Sequence, residues 1–412
     1  MKKRILSLLL ALVMITTLLP LGLYDTAWAA EVSETAEAAE VSETAEAAEV
    51  SETAEATEIA SGSCGAGGVE DSSVRWVLTD DGTLTISGTG AMCDWEEPWR
   101  EFEYQINRVV IESGVTTVGS NAFSNCDNLT AVELPDTLTA IGDRTFAYCD
   151  GLTGVTIPDS VTSIGNHAFL GCVLLTDVTI SANVTYIGEG AFGGINTAVS
   201  VSQENQNYCS VDGALYNKQK TTLLHPGEIQ NGTFSIPDGV TRIANSAFTA
   251  CGSLTGVTIP DSVTEIGSEA FNGCHSLTSV TIPEGVTVIK LETFTNCSSL
   301  TSVTIPEGVT EIQFNAFAFC AALTSVSIPK TVTLIESSAF TGCDALEAVY
   351  YAGSAEEWEA VTIEDNNEAL YNATLYPNFS GDTTSLPPGK VTLTGAVVGE
   401  NGITVSWRRA AN

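Results

Sequence analysis

Phenylalanine recurs every 23 residues along most of this chain: Phe123, Phe146, Phe169 and Phe192, then, after one gap, Phe248, Phe271, Phe294, Phe317 and Phe340. A fixed period of this size marks a repeat solenoid, whose coils pack only on their neighbours. One unit, Leu300 to Cys320, reads LTSVTIPEGVTEIQFNAFAFC. In it Leu300, Val303 and Ile305 alternate as a short strand closed by Pro306, which has no N–H to give to a ladder. Val309 and Ile312 predict a second extended piece before the Ala316-Phe317 turn. The apolar set of one unit is too small to offset the entropy of ordering it, so the coils must stack to fold. Such an array predicts a binding surface and nothing that resembles a reaction centre.

The period breaks once. Phe192 and Phe248 are 56 residues apart, which places an insert at about 199–231. Its Asp212-Gly213 and Asn217-Lys218 turn signals predict a hairpin that projects from the stack or splices into it. Tyr208, Tyr216, Lys218, Lys220 and His225 make it the most basic and aromatic stretch between the two ends of the array, hence a candidate contact site. The competing reading is a drifted repeat that keeps its packing.

Eight cysteines follow the phenylalanines by three residues, from Cys126 to Cys343. Residues in register on adjacent coils point their Cβ bonds the same way, whereas a disulfide needs them to converge, so buried thiols are the better reading of this column. A line of single thiolates is no tetrahedral zinc set either. Cys64 and Cys93, outside the column, are the pair best placed for a disulfide, and Cys209 has no evident mate. An acidic column, Asp136, Asp159, Asp238, Asp261, Glu284 and Glu307, ending at Lys330, offers oxygen ligands to calcium, but without a compact Asp/Asn/Gly loop it reads as solvated turn residues. No metal or cofactor is expected.

Outward on the strands runs a stripe of Thr156, Thr179, Thr258, Thr281 and Thr304, continued by Ser327 and preceded by Glu133. Threonine suits strands, which accounts for much of the stripe, and the stripe also makes a hydroxyl-rich face able to meet sugars or protein. Thr156, Thr179, Thr258, Thr281, Thr304, Tyr208, Tyr216 and Lys218 are therefore the candidate partner contacts. His167, His225 and His275 share no face with a nucleophile, and no carboxylate pair stands out, so no catalytic residues and no enzyme activity are expected.

The two ends set location. Lys2, Lys3 and Arg4, the apolar run Ile5 to Leu19 and the small residues around Ala27-Trp28-Ala29 have the layout of a signal peptide over 1–29. No other apolar run is long enough to cross a bilayer, so no transmembrane segment is expected after cleavage, and a secreted or cell-surface location follows. With 51 acidic against 15 basic residues, a net charge of −36 excludes nucleic acid and anionic membranes as partners. Residues 30–60 repeat EVSETAEAA with three glutamates a unit, a self-repelling spacer or, alternatively, an undocked Ala/Glu helix. Residues 61–108, with Trp76, Trp95, Trp99 and an Asp81-Gly82 hairpin signal, read as an N-terminal β-hairpin cap on the 109–346 array. A cap over 347–379 and a linker over 380–388 follow.

The unit LxxVxIPxxVxxIGxxAFxxC, clearest in Leu254 to Cys274, resembles the BspA-like, or Treponema-type, leucine-rich repeats of bacterial surface proteins. CGAGGVEDSSVRWVLTDDGTLTISGTGAM (Cys64 to Met92) and YYAGSAEEWEAVTIEDNNEALYNATLYPN (Tyr350 to Asn378) resemble the flanks of that family. The pattern is departed from at Ile180-Ser181, which lacks the proline, at Ile195 in place of cysteine, and at Ala244, Lys290, Gln313 and Glu336 in place of glycine. The resemblance implies a right-handed superhelix, β-rich, with short turns or helical pieces on its convex side, exported and binding an extracellular protein or glycan in adhesion. It carries over no catalytic or defined binding residue. The tail 389–412, GKVTLTGAVVGENGITVSWRRAAN with Trp407, resembles the opening strands of a fibronectin type III module. The alternative function is a non-catalytic targeting or spacer part of a larger secreted enzyme that continues beyond residue 412.

Overall fold

The computed structural model describes residues 56–380, together with the backbone of two strands, Val391–Gly399 and Gly402–Arg409. The expected leader, the spacer up to residue 55 and the linker from residue 381 lie outside the described residues. The spacer reading to residue 60 is corrected at its end: β1 (Glu58–Ser63) is already a strand, antiparallel to β2 (Val74–Thr79), because Ala60 to Ser63 find ladder partners in Arg75 to Leu78.

The described residues form a β-solenoid of about 13 turns with a repeat of about 23 residues. β2 turns through Gly82, whose φ is 82°, into the antiparallel β3 (Thr83–Gly88), with Trp76 opposite Ile86. β3 then pairs in parallel with Arg108–Ile111, and from there each coil adds one strand in register: Val109 beside Val132 beside Val155. A second parallel ladder runs along the other strand of each coil, Ile141 beside Ile164 beside Ile187. Past the insert it resumes with Ile243 beside Ile266, then Ile289 beside Ile312 beside Ile335.

On the turn side the backbone is laddered without being strand. The amides of Phe123, Phe146, Phe169 and Phe317 each donate to a carbonyl of the next coil, on Thr145, Ala168, Ala191 and Ala339, at 2.8 Å. Inside these turns the phenyl rings stack at centroid distances of 5.2 to 5.7 Å, Phe123 to Phe192 in one run, and Phe271 to Phe340 in a second that begins with Phe248 at 4.8 Å. Trp99 occupies the place a phenylalanine would take one coil earlier: it stacks on Phe123 at 5.4 Å and donates its indole N–H to the Ala122 carbonyl at 2.8 Å. The cysteine column is buried beside the rings as free thiols, with the Sγ of Cys149, Cys172, Cys274, Cys297, Cys320 and Cys343 directed at a phenylalanine carbonyl of the preceding coil at 3.1 to 3.3 Å.

At the far end, Thr362–Ile363 and Thr374–Tyr376 extend the two ladders. The helix Ala355–Glu359 starts on a Ser354/Glu357 capping box. Buried Asn367 accepts the Phe340 N–H at 3.0 Å and donates to the Glu336 and Glu364 carbonyls at 2.9 Å, so the last phenylalanine turn is satisfied without another coil.

Candidate functional site

Each unit carries threonines at two strand positions, and the structure separates their roles. At the first position the hydroxyls of Thr176, Thr255, Thr278, Thr301 and Thr324 reach the backbone carbonyl 23 residues earlier at 2.8 to 3.4 Å. These are spacers between coils. Three residues on, Thr156, Thr179, Thr258 and Thr281 are exposed, and their hydroxyls have no partner among the described residues. Alternation explains the contrast with their buried neighbours, since Val155 and Ile157 face the core while Thr156 between them faces out. Thr304 continues the exposed column but is engaged within the chain, and Ser327 is half-buried. Glu133, at the first coil, pairs with Arg108. In a chain of charge −36 this face, from Thr153 to Thr304, is lined mainly by Thr, Ser and Gly and interrupted by Asp177.

The insert splices into the stack. Tyr208–Val211, Ala214–Asn217 and Thr222–His225 form an antiparallel meander, and its last strand rejoins the parallel ladder with Leu223 beside Ile243. Its middle strand joins two cores: Leu215 packs into the N-terminal cluster, Ala214 and Tyr216 into the C-terminal one. Tyr216 as a contact residue is therefore corrected: it is 3% exposed, and burial pushes its phenol up to about 12. Lys218 is held down by its ammonium on the Asn205 carbonyl. Tyr208 is half-buried, and its hydroxyl accepts the Ile187 N–H at 2.8 Å, at the edge of the strand Tyr186–Ile187. On the turn side the stack closes over the insert: His167 Nε2 lies 3.3 Å from Ser246 Oγ across Gly190, where a Cβ would come within 2.8 Å of the Ser246 Cβ.

Where the second ladder is interrupted, an open cavity of about 510 Å³ is lined by Asn166, Tyr186, Glu189, Tyr208, Asn217 and Arg242, among others. Arg242 bridges the interruption, meeting Glu189 at 3.4 Å and Glu265 at 3.3 Å, and Lys290 adds a 2.5 Å contact to Glu265. The hydrogen bond from Lys290 and the two cations hold the Glu265 carboxyl below its ordinary range. Sequence reasoning found Tyr208 but missed Arg242 and Glu189, which lie 53 residues apart and meet only because the turn side closes.

The acidic column from Asp136 to Glu307 is exposed, and no group of three or more His, Cys, Asp or Glu among the described residues converges on a metal position. The three histidines stay apart. His167 faces Ser246, His275 Nδ1 lies 2.9 Å from the Asn296 carbonyl, and His225 is 1% exposed with neither ring nitrogen hydrogen-bonded. These groups provide hydrogen-bonding and stacking surface. No helix among the described residues is long and apolar enough to cross a membrane.

The profile of the BspA type leucine rich repeat region matches residues 101–220 and 228–347, in six copies. A leucine-rich repeat protein from Eubacterium ventriosum is similar at 26% identity and TM-score 0.60, over 84% of this chain and all of that one. A leucine rich cell surface protein from Faecalibacterium prausnitzii is 30% identical, with TM-score 0.51, over 71% of this chain and 96% of that one. The pneumococcal vaccine antigen PcpA shares the fold at 15% identity and TM-score 0.52, over 75% of this chain and 96% of that one. No curated protein matches.

Proposed function

The chain belongs to the BspA-type leucine-rich repeat family, and from that premise we propose that it is a secreted or cell-surface, non-catalytic protein that holds an extracellular protein or glycan in adhesion. The observation that carries this reading is the column of unpartnered hydroxyls at Thr156, Thr179, Thr258 and Thr281, on a weakly charged face of a strongly acidic chain. A solvated hydroxyl row costs little to desolvate compared with carboxylates and can give and take hydrogen bonds along a partner. Thr304 extends that face, and Tyr208 adds a contact in the cavity where the second ladder is interrupted. The relatives support the location: one is described as a cell surface protein and another as a vaccine antigen. The matches indicate no catalytic family. The hairpin of Val391–Gly399 and Gly402–Arg409 is taken as the start of a fibronectin type III module, a spacer in this reading.

The test is binding of the purified chain to arrays of host matrix proteins and glycans at physiological salt, with and without calcium. The expected result is a saturable ligand whose affinity falls at least tenfold in Thr258→Lys/Thr281→Lys and is unchanged in Gln219→Lys. Full-strength binding by the double variant removes the threonine face from the reading. A folded protein with no saturable ligand removes the reading itself.

A further inference from the structure

Two thiols stand outside the column that the other buried cysteines share. The column thiols of successive coils lie in register, side by side, and most are directed at a carbonyl of the coil below. Cys64 and Cys93 instead face each other across an antiparallel pair. Gly65 bridges Met92, and one residue outward the Cys93 N–H donates to the Cys64 carbonyl at 2.9 Å. One bond joins the two, since the Cys64 N–H donates instead to the Val74 carbonyl at 2.9 Å. Residues opposed on paired antiparallel strands project to the same side, with Cα atoms about 4.5 to 5.5 Å apart, inside the roughly 4.4 to 6.8 Å that a disulfide spans. Both are buried free thiols, at 0% and 4% exposure, and they are close enough that, after burial itself, the Cys93 charge helps raise the Cys64 thiol. Neither has a strong competing partner: the nearest acceptor of the Cys93 thiol, the Glu96 carbonyl, is 3.7 Å away.

The position matters mechanically. Cys64 directly follows β1, the outermost strand, and Cys93 follows β4 (Gly90–Ala91), which pairs with the next coil at Val115–Val118. A link between them would tie the open edge of the stack to its first full coil.

We propose that Cys64 and Cys93 are a disulfide site that closes the N-terminal end of the solenoid when the chain meets an oxidising exterior; this rests on the extracellular location proposed above. The donor is a small-molecule or protein disulfide. The Cys93 thiolate attacks it and expels one donor thiolate, leaving a mixed disulfide. The Cys64 thiolate then attacks the Cys93 sulfur and expels the second. Two protons leave the cysteines, two electrons pass to the donor, and one S–S bond forms in the chain. Burial pushes the Cys64 thiol up to about 12 and raises Cys93 as well, so the folded pair exchanges slowly and the bond forms while this end is still open. The column thiols are spared because their parallel Cβ bonds cannot converge.

The experiment refolds the reduced full chain in a glutathione redox buffer, blocks free thiols with N-ethylmaleimide and maps the peptides by mass spectrometry. Peptides carrying Cys64 and Cys93 should be linked, about 2 Da lighter than the reduced pair, with the column cysteines labelled after denaturation. Hydrogen exchange of the β1 and β2 amides should then be slower than in Cys93→Ala by on the order of a hundredfold, as expected for closing a loop of about 30 residues. Labelling of both Cys64 and Cys93, or linkage of either to a column cysteine, overturns the proposal, and unchanged exchange overturns the closing role. Since the oxidation is run in vitro, a chain that forms the bond but is found inside the cell refutes the location and leaves the site standing.

Discussion

His225 shows how little a residue's type says about its place. Among basic and aromatic neighbours it read as part of a contact hairpin, yet it sits in the strand Thr222–His225 at 1% exposure with both ring nitrogens unsatisfied. Burial lowers its pKa from 6.5 to about 4. Because the unfolded chain binds the proton more tightly, the stability from the neutral ring is complete above about pH 6.5 and is lost as pH falls toward 4. Between pH 7.5 and 5 the loss should be about 2 kcal/mol, measurable as a drop in denaturation midpoint that a His225→Phe variant does not share. An equal drop in the variant assigns the acid sensitivity elsewhere. The phenylalanines and valines were legible one by one, since their period names their neighbours. His225, Tyr216 and Arg242 were not, because the insert follows no period and their neighbours are set by chain closure.

At the scale of one coil, the turn side depends on a position two residues past each phenylalanine, where φ is positive: 62° at Asn125, 59° at Tyr148, 75° at Gly171, 75° at Gly273 and 59° at Phe319. Glycine and asparagine tolerate this conformation, whereas Tyr148 and Phe319 adopt it at a cost of about 1 kcal/mol. Each lies against a glycine of the next coil. A Cβ on Gly171 would meet the Tyr148 ring at 2.7 Å, and one on Gly342 the Phe319 ring at 2.5 Å, while one on Gly273 meets only Ala250 at 3.4 Å. Gly273→Ala should therefore cost about 1 kcal/mol from backbone strain alone. Gly171→Ala should cost about 1 kcal/mol more, because the ring must move. Thermal unfolding of the two variants compares them, and equal losses would show that Tyr148 gives way freely. The two strands of the coil and the proline that ends the first were legible from alternation, while the left-handed turn was hidden because asparagine, tyrosine, alanine and phenylalanine all occupy it.

For the whole molecule, charge and connectivity act against each other. A net charge of −36 is self-repulsive, and the described ion pairs are few and partly exposed, Arg242 with Glu189 and Glu265 among them. Such pairs are each worth under about 1 kcal/mol, so repulsion governs the salt response. Raising sodium chloride from 10 to 300 mM, which shortens the Debye length from about 30 to about 6 Å, should raise the unfolding temperature by several degrees. A fall would mean that the Glu189–Arg242–Glu265–Lys290 network dominates. The sequence alone determined the solenoid, its 23-residue register and the buried column of rings and thiols, because a repeat's contacts are local copies of one pattern and its period is visible in one dimension. Only the tertiary structure decided that the insert welds two cores, that one threonine column is consumed between coils while the other is open, and that Trp99 begins the ring stack. Each of these depends on which groups meet across a fold or a closure, and that geometry leaves no period in the chain.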